Sequence, residues 1–171
     1  MIEQQFEQVY AIMTASFPEI ERRTYAGQKE LLSNPYYRLI TEPDASKRLV
    51  AFLAVWEFPL FRFVEHLAVD PSVRGGGLGK KLMAAYLEKT QAPVILEVEP
   101  PVADLAKRRV DFYKRLGFHL QPFDYVQPPL QRSQPDLPLK IMSYPGPLTE
   151  AEFARYKEIL YTEVYKVSPR M

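Results

Sequence analysis

A run of glycines between a strand and a helix constrains this chain more than any other feature. The apolar segment FRFVEHLAVD, residues 61–70, is followed by PSVRGGGLG and then by the helical pattern KKLMAAYLEKT. Apolar side chains at Val64 and at 67–69 predict a strand that is buried on both faces. The glycines at 75–77 and 79 remove Cβ atoms that would crowd the turn. Several backbone N–H groups can therefore point into one concavity at the start of the helix.

That concavity is predicted to bind an anion. Its unpaired N–H groups and the positive end of the helix dipole both favour phosphate oxygens. Arg74, Lys80 and Lys81 add mobile positive charge around it. The alternative is a glycine-rich strand-to-helix turn that holds no ligand.

Two common glycine motifs do not fit this run. A P-loop requires a glycine five residues before the Gly79-Lys80 pair and Ser or Thr after the lysine, but Arg74 and Lys81 occupy those positions. The dinucleotide fingerprint G-x-G-x-x-G fails in both registers, because its last position holds a lysine or a leucine.

A third pattern fits. The residues from Val69 to Gly79 resemble the acyl-CoA pyrophosphate loop of the GNAT superfamily of N-acetyltransferases. The core of that loop is Arg or Gln, two variable residues, Gly, one variable residue, and Gly or Ala. Arg74, Gly77 and Gly79 occupy the fixed places.

A second stretch, VDFYKRLGF at residues 110–118, supports the resemblance. It is similar to the end of the helix after the fifth strand in this superfamily, where an aromatic pair is followed by three residues and then Gly-Phe. Gly117 is expected to cap that helix in the left-handed conformation. The recognisable resemblance covers residues 48–120.

The resemblance implies an α+β fold of the acyl-CoA N-acyltransferase type, with a mixed central sheet of about six or seven strands flanked by helices. The sheet is expected to splay between strands 61–70 and 93–99 and to admit the pantetheine arm of the cosubstrate. A capping box at Thr149 and Glu152 predicts an added C-terminal helix over 149–166. The whole chain, 1–171, is expected to form a single domain.

Hydrophobic periodicity predicts the other elements. They are helices over 2–16, 22–33, 78–89 and 104–117, and strands over 36–42, 48–58, 118–125 and 140–144. The residues expected to be buried are Ile2, Phe6, Val9 and Met13 in the first helix, and Leu105, Val110, Phe112 and Leu116 in the helix over 104–117.

Composition excludes several classes of function. A net charge of +1 gives no global reason to expect nucleic acid or an anionic membrane as partner. The absence of cysteine removes disulfides and thiol chemistry, and it is compatible with a reducing cytoplasm, where we expect the protein. No stretch resembles a signal peptide or a membrane span. The two histidines, His66 and His119, have no metal-ligand spacing, so no metal is expected.

The resemblance implies a proton donor and a thioester contact. Superfamily members often carry a tyrosine at the place of Tyr113, near the thioester sulfur, where a phenol with a pKa near 10 can protonate the departing thiolate. Packing between helix and sheet is the alternative role of Tyr113. The end of the strand at 67–69 is implied to polarise the thioester carbonyl through its backbone. The cofactor-binding residues implied in all are Leu67, Ala68, Val69, Arg74, Gly75, Gly76, Gly77, Leu78, Gly79 and Lys80.

Glu65 is the predicted general base. Superfamily members variably carry a carboxylate on this strand, and Glu65 stands two residues before Leu67 on the same predicted face. Glu97 and Glu99 on the next strand are the alternatives, and they could instead bind a cationic acceptor. Strand alternation predicts that His66 points to the opposite face from Glu65, which favours a structural histidine.

Four further residues leave alternatives open. Superfamily helices often carry Asn seven residues before the tyrosine, and here Ala106 holds that place. Arg108 or Arg109 could contact the cofactor instead, or both could form a solvated basic face. Trp56 could face an acceptor cavity or lie in the core.

The resemblance implies an N-acetyltransferase that moves an acetyl group from acetyl-CoA to a primary amine by direct transfer in a ternary complex. The acceptor would be a small-molecule amine or a protein amino group. The alternative is a catalytically silent acyl-CoA-binding sensor or interaction module with the same fold. A homodimer is one assembly that the sequence allows. The loop over 126–139 is expected to border the acceptor site.

Overall fold

The computed structural model describes residues 3–167, and residues 1, 2 and 168–171 lie outside the described part. The chain forms two compact units, one up to Ala92 and one from Pro93. The single domain stays a prediction. No helix in the described range is long and apolar enough to cross a membrane.

The first unit is an antiparallel three-stranded sheet with helices before and after it. Its elements are α1 (Glu3–Ser16), α2 (Tyr25–Glu30), β1 (Tyr37–Pro43), β2 (Leu49–Glu57), β3 (Arg62–Val69) and α3 (Leu78–Lys89), with 3-10 turns at Glu19–Glu21, Leu31–Ser33 and Pro71–Val73. β2 pairs with both β1 and β3. The predicted helix over 22–33 is wrong in extent, because only α2 is α-helical there. The predicted Ile2 lies outside the described residues.

β2 forms the centre of this unit. Its residues from Leu49 to Trp56 are all buried, and α1 and α3 both contact it. The prediction that β3 is buried on both faces is wrong at the end of the strand, where Leu67 and Val69 are partly exposed. The largest fully buried side chains of the unit are Phe6, Met13, Phe52, Leu53, Trp56, Phe61, Phe63 and Met83. Burial of each such side chain contributes roughly 1.5–3 kcal/mol.

A β-bulge interrupts the pairing of β2 and β3. Ala54 lies opposite His66, but the next residue, Val55, lies opposite Val64. Glu65 is therefore the additional residue on β3, and the regular alternation of side chains stops there.

The bulge changes the direction of the Glu65 side chain. The Glu65 carboxylate contacts Arg23, and His66 Nε2 donates a hydrogen bond of 2.9 Å to the carbonyl oxygen of Glu21, so both side chains reach the same segment before α2. Leu67 instead lies against the first turn of α3. The predictions that Glu65 shares a face with Leu67 and that His66 points away from Glu65 are therefore wrong.

The second unit is built around a long strand. Its elements are β4 (Val94–Val98), α4 (Asp104–Arg115), β5 (His119–Leu120), β6 (Tyr125–Gln127), β7 (Leu137–Tyr144), α5 (Glu150–Ile159) and a π-helical turn (Leu160–Val164). β7 pairs antiparallel with β4, β5 and β6. The single strand predicted over 118–125 is wrong, because two short strands occupy this region. The connection from β6 to β7 covers 128–136 only.

α4 buries only part of the predicted face: burial of Val110 is confirmed, and Phe112 and Leu116 are half-buried. Ala106 and Val110 are buried, whereas Leu105 is 60% exposed, so the prediction for Leu105 is wrong. Adjacent helical residues point about 100° apart, so a helix that turns Ala106 inward turns Leu105 outward. Gly117 follows the helix with φ 101°, which confirms the predicted left-handed cap.

The capping box that predicted α5 is present. The Thr149 hydroxyl accepts from the Glu152 backbone N–H, and the Glu152 carboxylate accepts from the Thr149 backbone N–H. Phe153 and Tyr156 are buried on α5, and the helical pattern continues into the π-helical turn. The seven described strands and their flanking helices confirm the predicted α+β class.

Candidate active site

The loop between β3 and α3 has the backbone geometry of an anion site. Gly75 (φ 94°) and Gly77 (φ 73°) adopt left-handed conformations, and no side chain from residues 3–167 caps α3 at Gly77. A Cβ at either glycine would meet no atom of the described residues within 4 Å. These positions therefore require glycine for their φ angles and not, as predicted, to relieve crowding. Left-handed residues within such a turn direct neighbouring N–H groups into one concavity.

The N–H groups of this loop have no partner among the described residues. None of the backbone N–H groups of residues 75–80 donates a hydrogen bond within residues 3–167, and the first helical bond runs from Lys81 N to Gly77 O at 3.0 Å. Unpaired amides at a helix start suit phosphate oxygens. The donor set therefore fits the pyrophosphate of an acyl-CoA.

Arg74 ties the loop to the rest of the first unit. Its Nε donates to the carbonyl oxygen of Val69 at 3.2 Å, and its Nη2 donates to Ser16 Oγ at 3.1 Å. The prediction of a mobile positive charge is therefore wrong for Arg74. Lys80 and Lys81 are exposed at the start of α3.

A second set of contacts braces the beginning of the loop. The Asp70 carboxylate accepts from the backbone N–H of Ser72 at 2.9 Å and from its hydroxyl at 2.7 Å. These hydrogen bonds, the backbone one first, hold the pKa of Asp70 below its usual range. Arg48 reaches both residues, at 3.4 Å from the carboxylate and 3.3 Å from the hydroxyl. The loop is thus connected to the start of β2.

Glu65 is buried and hydrogen-bonded. Arg23 Nη1 lies 3.0 Å from Oε1 and 2.9 Å from Oε2, and Trp56 Nε1 donates to Oε1 at 2.9 Å. Burial by itself would raise the pKa of Glu65, but the Arg23 guanidinium and the hydrogen bonds from Arg23 and Trp56 outweigh it and hold that pKa below its usual range. The base role stays a prediction, and these surroundings do not favour it. Trp56 is fully buried, which supports the core alternative.

His66 has the surroundings of a structural histidine. It is 4% exposed, and its ring packs edge-on against Phe17 at 4.7 Å between centroids. Burial lowers the pKa of His66, so the ring is neutral at pH 7. Because the Glu21 carbonyl can only accept, Nε2 carries the proton.

Tyr113, the predicted general acid, lies in the second unit. Its ring packs edge-on against Phe112 and Phe118, at 5.1 and 5.7 Å between centroids. Burial raises the pKa of Tyr113 to about 12, although Arg109 opposes the shift. The hydroxyl makes no hydrogen bond to any residue in the described range, and its role as a general acid stays a prediction.

Glu97 accepts hydrogen bonds from three side chains of the second unit. The Tyr165 hydroxyl lies 2.7 and 2.8 Å from its two oxygens, Gln127 Nε2 donates at 2.9 Å, and the Tyr125 hydroxyl donates as well. Burial first, and then the Glu97 carboxylate, raise the pKa of Tyr125 well above its ordinary value. This network ties the C-terminal segment to β4.

The remaining candidates are on the surface or at its edge. Glu99 is exposed, and Arg109 Nη1 lies 3.7 Å from its carboxylate. Arg108 is also exposed, so both roles suggested for the basic residues of α4 stay open. Among residues 3–167, no cluster of three His, Asp or Glu side chains could hold a metal ion.

Three residues of these networks carry no sequence signal. Ser16, Arg23 and Tyr165 contact residues 58, 42 and 68 positions away in the chain. No local pattern encodes such pairings. Only the three-dimensional fold brings them to Arg74, Glu65 and Glu97.

Comparisons with known proteins find several similar chains. A family model described as an acetyltransferase (GNAT) domain matches residues 36–120. YjbC of Bacillus subtilis (strain 168), whose name marks it as a candidate acetyltransferase, is 34% identical over 149 residues, which are 84% of this chain and 72% of that protein. A solved structure of a candidate GNAT-family acetyltransferase from Bacteroides thetaiotaomicron is 32% identical, with a TM-score of 0.89 over 96% of this chain and 94% of that one.

A more distant structure contains coenzyme A. It is an aminoglycoside 6′-N-acetyltransferase, 18% identical, with a TM-score of 0.58 over 83% of this chain and 91% of that one. At this level of identity, the likeness shows a shared fold and nothing about the acceptor.

Proposed function

Because this chain belongs to the GNAT acetyltransferase family, we propose that it transfers an acetyl group from acetyl-CoA to a primary amine. The acceptor would be a small-molecule amine or a protein amino group. The single observation that carries the proposal is the row of unpaired amides over residues 75–80, which follows the pyrophosphate-loop pattern of the family.

Each part of the proposed site has a role that its chemistry supports. The loop amides hold the pyrophosphate, and Lys80 and Lys81 add positive charge beside it. Backbone groups of Leu67, Ala68 and Val69 contact the thioester end of the cosubstrate. Acetyl-CoA supplies the activated acetyl group when it is bound.

Tyr113 is the proposed proton donor. As the amine nitrogen forms its bond to the acetyl carbon and the carbon–sulfur bond breaks, the phenol gives its proton to the sulfur. The acylated nitrogen releases its own proton to water, and water returns a proton to the phenolate, so the net products are the acetylated amine and free thiol. A pKa of about 12 keeps the phenol protonated at neutral pH, and no described residue competes for that proton. Positioning both reactants supplies much of the remaining acceleration.

Two assays test the proposal together. Acetyl-CoA and CoA should raise the thermal unfolding midpoint of the protein, because both bind the folded state. A panel of polyamines, aminoglycosides and peptides with free amino termini should then contain an acceptor that causes thiol release. Stabilisation by CoA without thiol release from any amine would favour the silent binding module. No stabilisation by either compound at saturating concentration would refute the proposal.

A further inference from the structure

The side chain of Glu65, the additional residue of the bulge in β3, is held from two sides. Arg23, just before α2, brings Nη1 to within 3.0 and 2.9 Å of the two carboxylate oxygens. Trp56, on the neighbouring β2, donates its indole N–H to Oε1 at 2.9 Å. The Glu65 and Arg23 side chains are 2% and 9% exposed, and Trp56 is completely buried. A carboxylate so covered offers almost no surface to an amine or to water.

The groups around Glu65 favour its ionised form. The titratable and charged groups that act on it are Arg23, His66 on β3 and Tyr37 on β1, whose hydroxyl accepts from Gln28 at 2.6 Å. Of these, the Arg23 guanidinium stabilises the carboxylate most. An ionised carboxylate paired with a guanidinium is a weak proton acceptor, because protonation would remove the negative charge that the buried guanidinium faces.

The bulge also determines which side chains of β3 face α3. Beyond it, Val69 and Leu67 lie 3.4 and 4.0 Å from the Cβ position of Gly79 in the first turn of α3. A shift of one residue turns every side chain of a strand to the other face. If β3 lost its bulge, the segment beyond it would turn His66 and Ala68 toward α3, and the loop that follows would move.

We propose that Glu65, Arg23 and Trp56 form a buried anchor that fixes this bulge and so positions the end of β3 and the loop at 70–79 for acyl-CoA. Glu65 is then a positioning residue and not the general base. The choice of acyl-CoA as the ligand rests on the proposed function. The contacts of the anchor itself lie within the first unit and do not depend on that choice.

Four variants separate the two roles: Arg23→Met, Arg23→Lys, Glu65→Gln and the double variant Arg23→Met with Glu65→Gln. Lysine and methionine have similar lengths, so Arg23→Lys is the matched control that keeps the charge. The measurements are the thermal unfolding midpoint, the Kd for acetyl-CoA, the rate of thiol release and the emission spectrum of Trp56. That spectrum reports directly on the anchor, because Trp56 is the single tryptophan of the chain.

The anchor predicts coupled losses and a rescue. Arg23→Met takes the guanidinium from the buried Glu65 carboxylate, and Glu65→Gln takes the carboxylate from the buried Arg23 guanidinium, so each should lower the midpoint by roughly 6–20 °C. Each should also weaken acetyl-CoA binding by at least about tenfold, because the binding-competent loop is less populated. The double variant removes both charges and keeps an amide oxygen for Trp56. It should recover most of both losses, with Trp56 emission and thiol release close to those of the wild type, although an amide cannot act as a base.

A general base would give a different pattern. Glu65→Gln with a native midpoint and native affinity, but a rate at least about 100-fold lower that the double variant does not recover, would overturn the inference. Lower midpoints with an unchanged Kd and rate would overturn the positioning role. If Glu65→Gln does not fold, equal Kd values for acetyl-CoA in Arg23→Met and Arg23→Lys would overturn the positioning role. Wild-type protein that binds no acetyl-CoA would refute the proposed function, and native midpoints and Trp56 emission in the single variants would separately refute the anchor.

Discussion

Replacing Gly77 by alanine should weaken acetyl-CoA binding without changing the helix content of the protein. Gly77 precedes α3 with φ 73° and ψ 14°, in the left-handed region. A residue with a Cβ pays about 1–2 kcal/mol to adopt that conformation. Because an added Cβ meets no atom of the described part of the chain within 4 Å, the cost comes from the backbone conformation and not from steric contact with neighbours.

The size of the affinity loss follows from how often the free variant adopts the binding conformation of the loop. If the free protein relaxes to avoid the strain, acetyl-CoA binding must restore the strained conformation, and the affinity falls by the same 1–2 kcal/mol, or about 5–30-fold. Gly76→Ala is the matched control within the same run of glycines. Its φ is not left-handed, and the nearest atom to its Cβ is the Val73 carbonyl oxygen at 3.9 Å, so the affinity should change less than about twofold.

Isothermal titration of both variants with acetyl-CoA at one salt concentration measures the difference. Circular dichroism should show native helix content in each, because both substitutions precede the first residue of α3. Equal affinity losses in Gly76→Ala and Gly77→Ala would refute the reasoning. So would wild-type affinity in Gly77→Ala.

Three further predictions concern single side chains. Tyr113→Phe should lower the rate of thiol release by about 100-fold or more with an unchanged Kd for acetyl-CoA. Because burial raises the pKa of Tyr113 to about 12, the wild-type rate should not fall through ionisation of this phenol below about pH 11. A native rate in the variant would remove the assignment. Tyr165→Phe removes a hydrogen-bond donor to the Glu97 carboxylate and should lower the free energy of unfolding in urea by about 1.5–3 kcal/mol. The control Tyr36→Phe, at a tyrosine that is 37% exposed, should change that free energy by less than about 0.5 kcal/mol. Equal changes in the two variants would contradict the network. Burial lowers the pKa of His66 in the folded protein, so His66 binds a proton more readily when the chain is unfolded. The contribution of His66 to the free energy of unfolding should therefore be fully present above about pH 6.5 and decrease at lower pH. The dependence of that free energy on pH should be weaker in His66→Gln, and an unchanged dependence would contradict the buried neutral ring.

The features that sequence predicted well depend on short-range geometry. The capping box of Thr149 and Glu152 and the left-handed cap at Gly117 each involve residues only a few positions apart, so their residue types specify the conformation. Amphipathic periodicity likewise places α3 at its observed boundaries.

The features that sequence did not predict depend on distant contacts. The bulge at Glu65 inserts one residue into a run that reads as a regular strand, and its partner Arg23 stands 42 positions earlier. A regular alternation was the natural expectation, and it gave the wrong face. Similarly, Arg74 looked like a mobile charge because its contact with Ser16 is set by the packing of α1.

The most direct test of the central claim is an amide NMR titration of 15N-labelled protein with CoA. If the loop amides bind the pyrophosphate, the N–H signals of Gly75, Gly76, Gly77 and Gly79 should shift strongly and saturate with a single Kd. A pyrophosphate-free pantetheine analogue should leave these signals largely in place. Saturable binding of CoA that leaves these four signals unmoved, with shifts confined to other regions, would contradict the account.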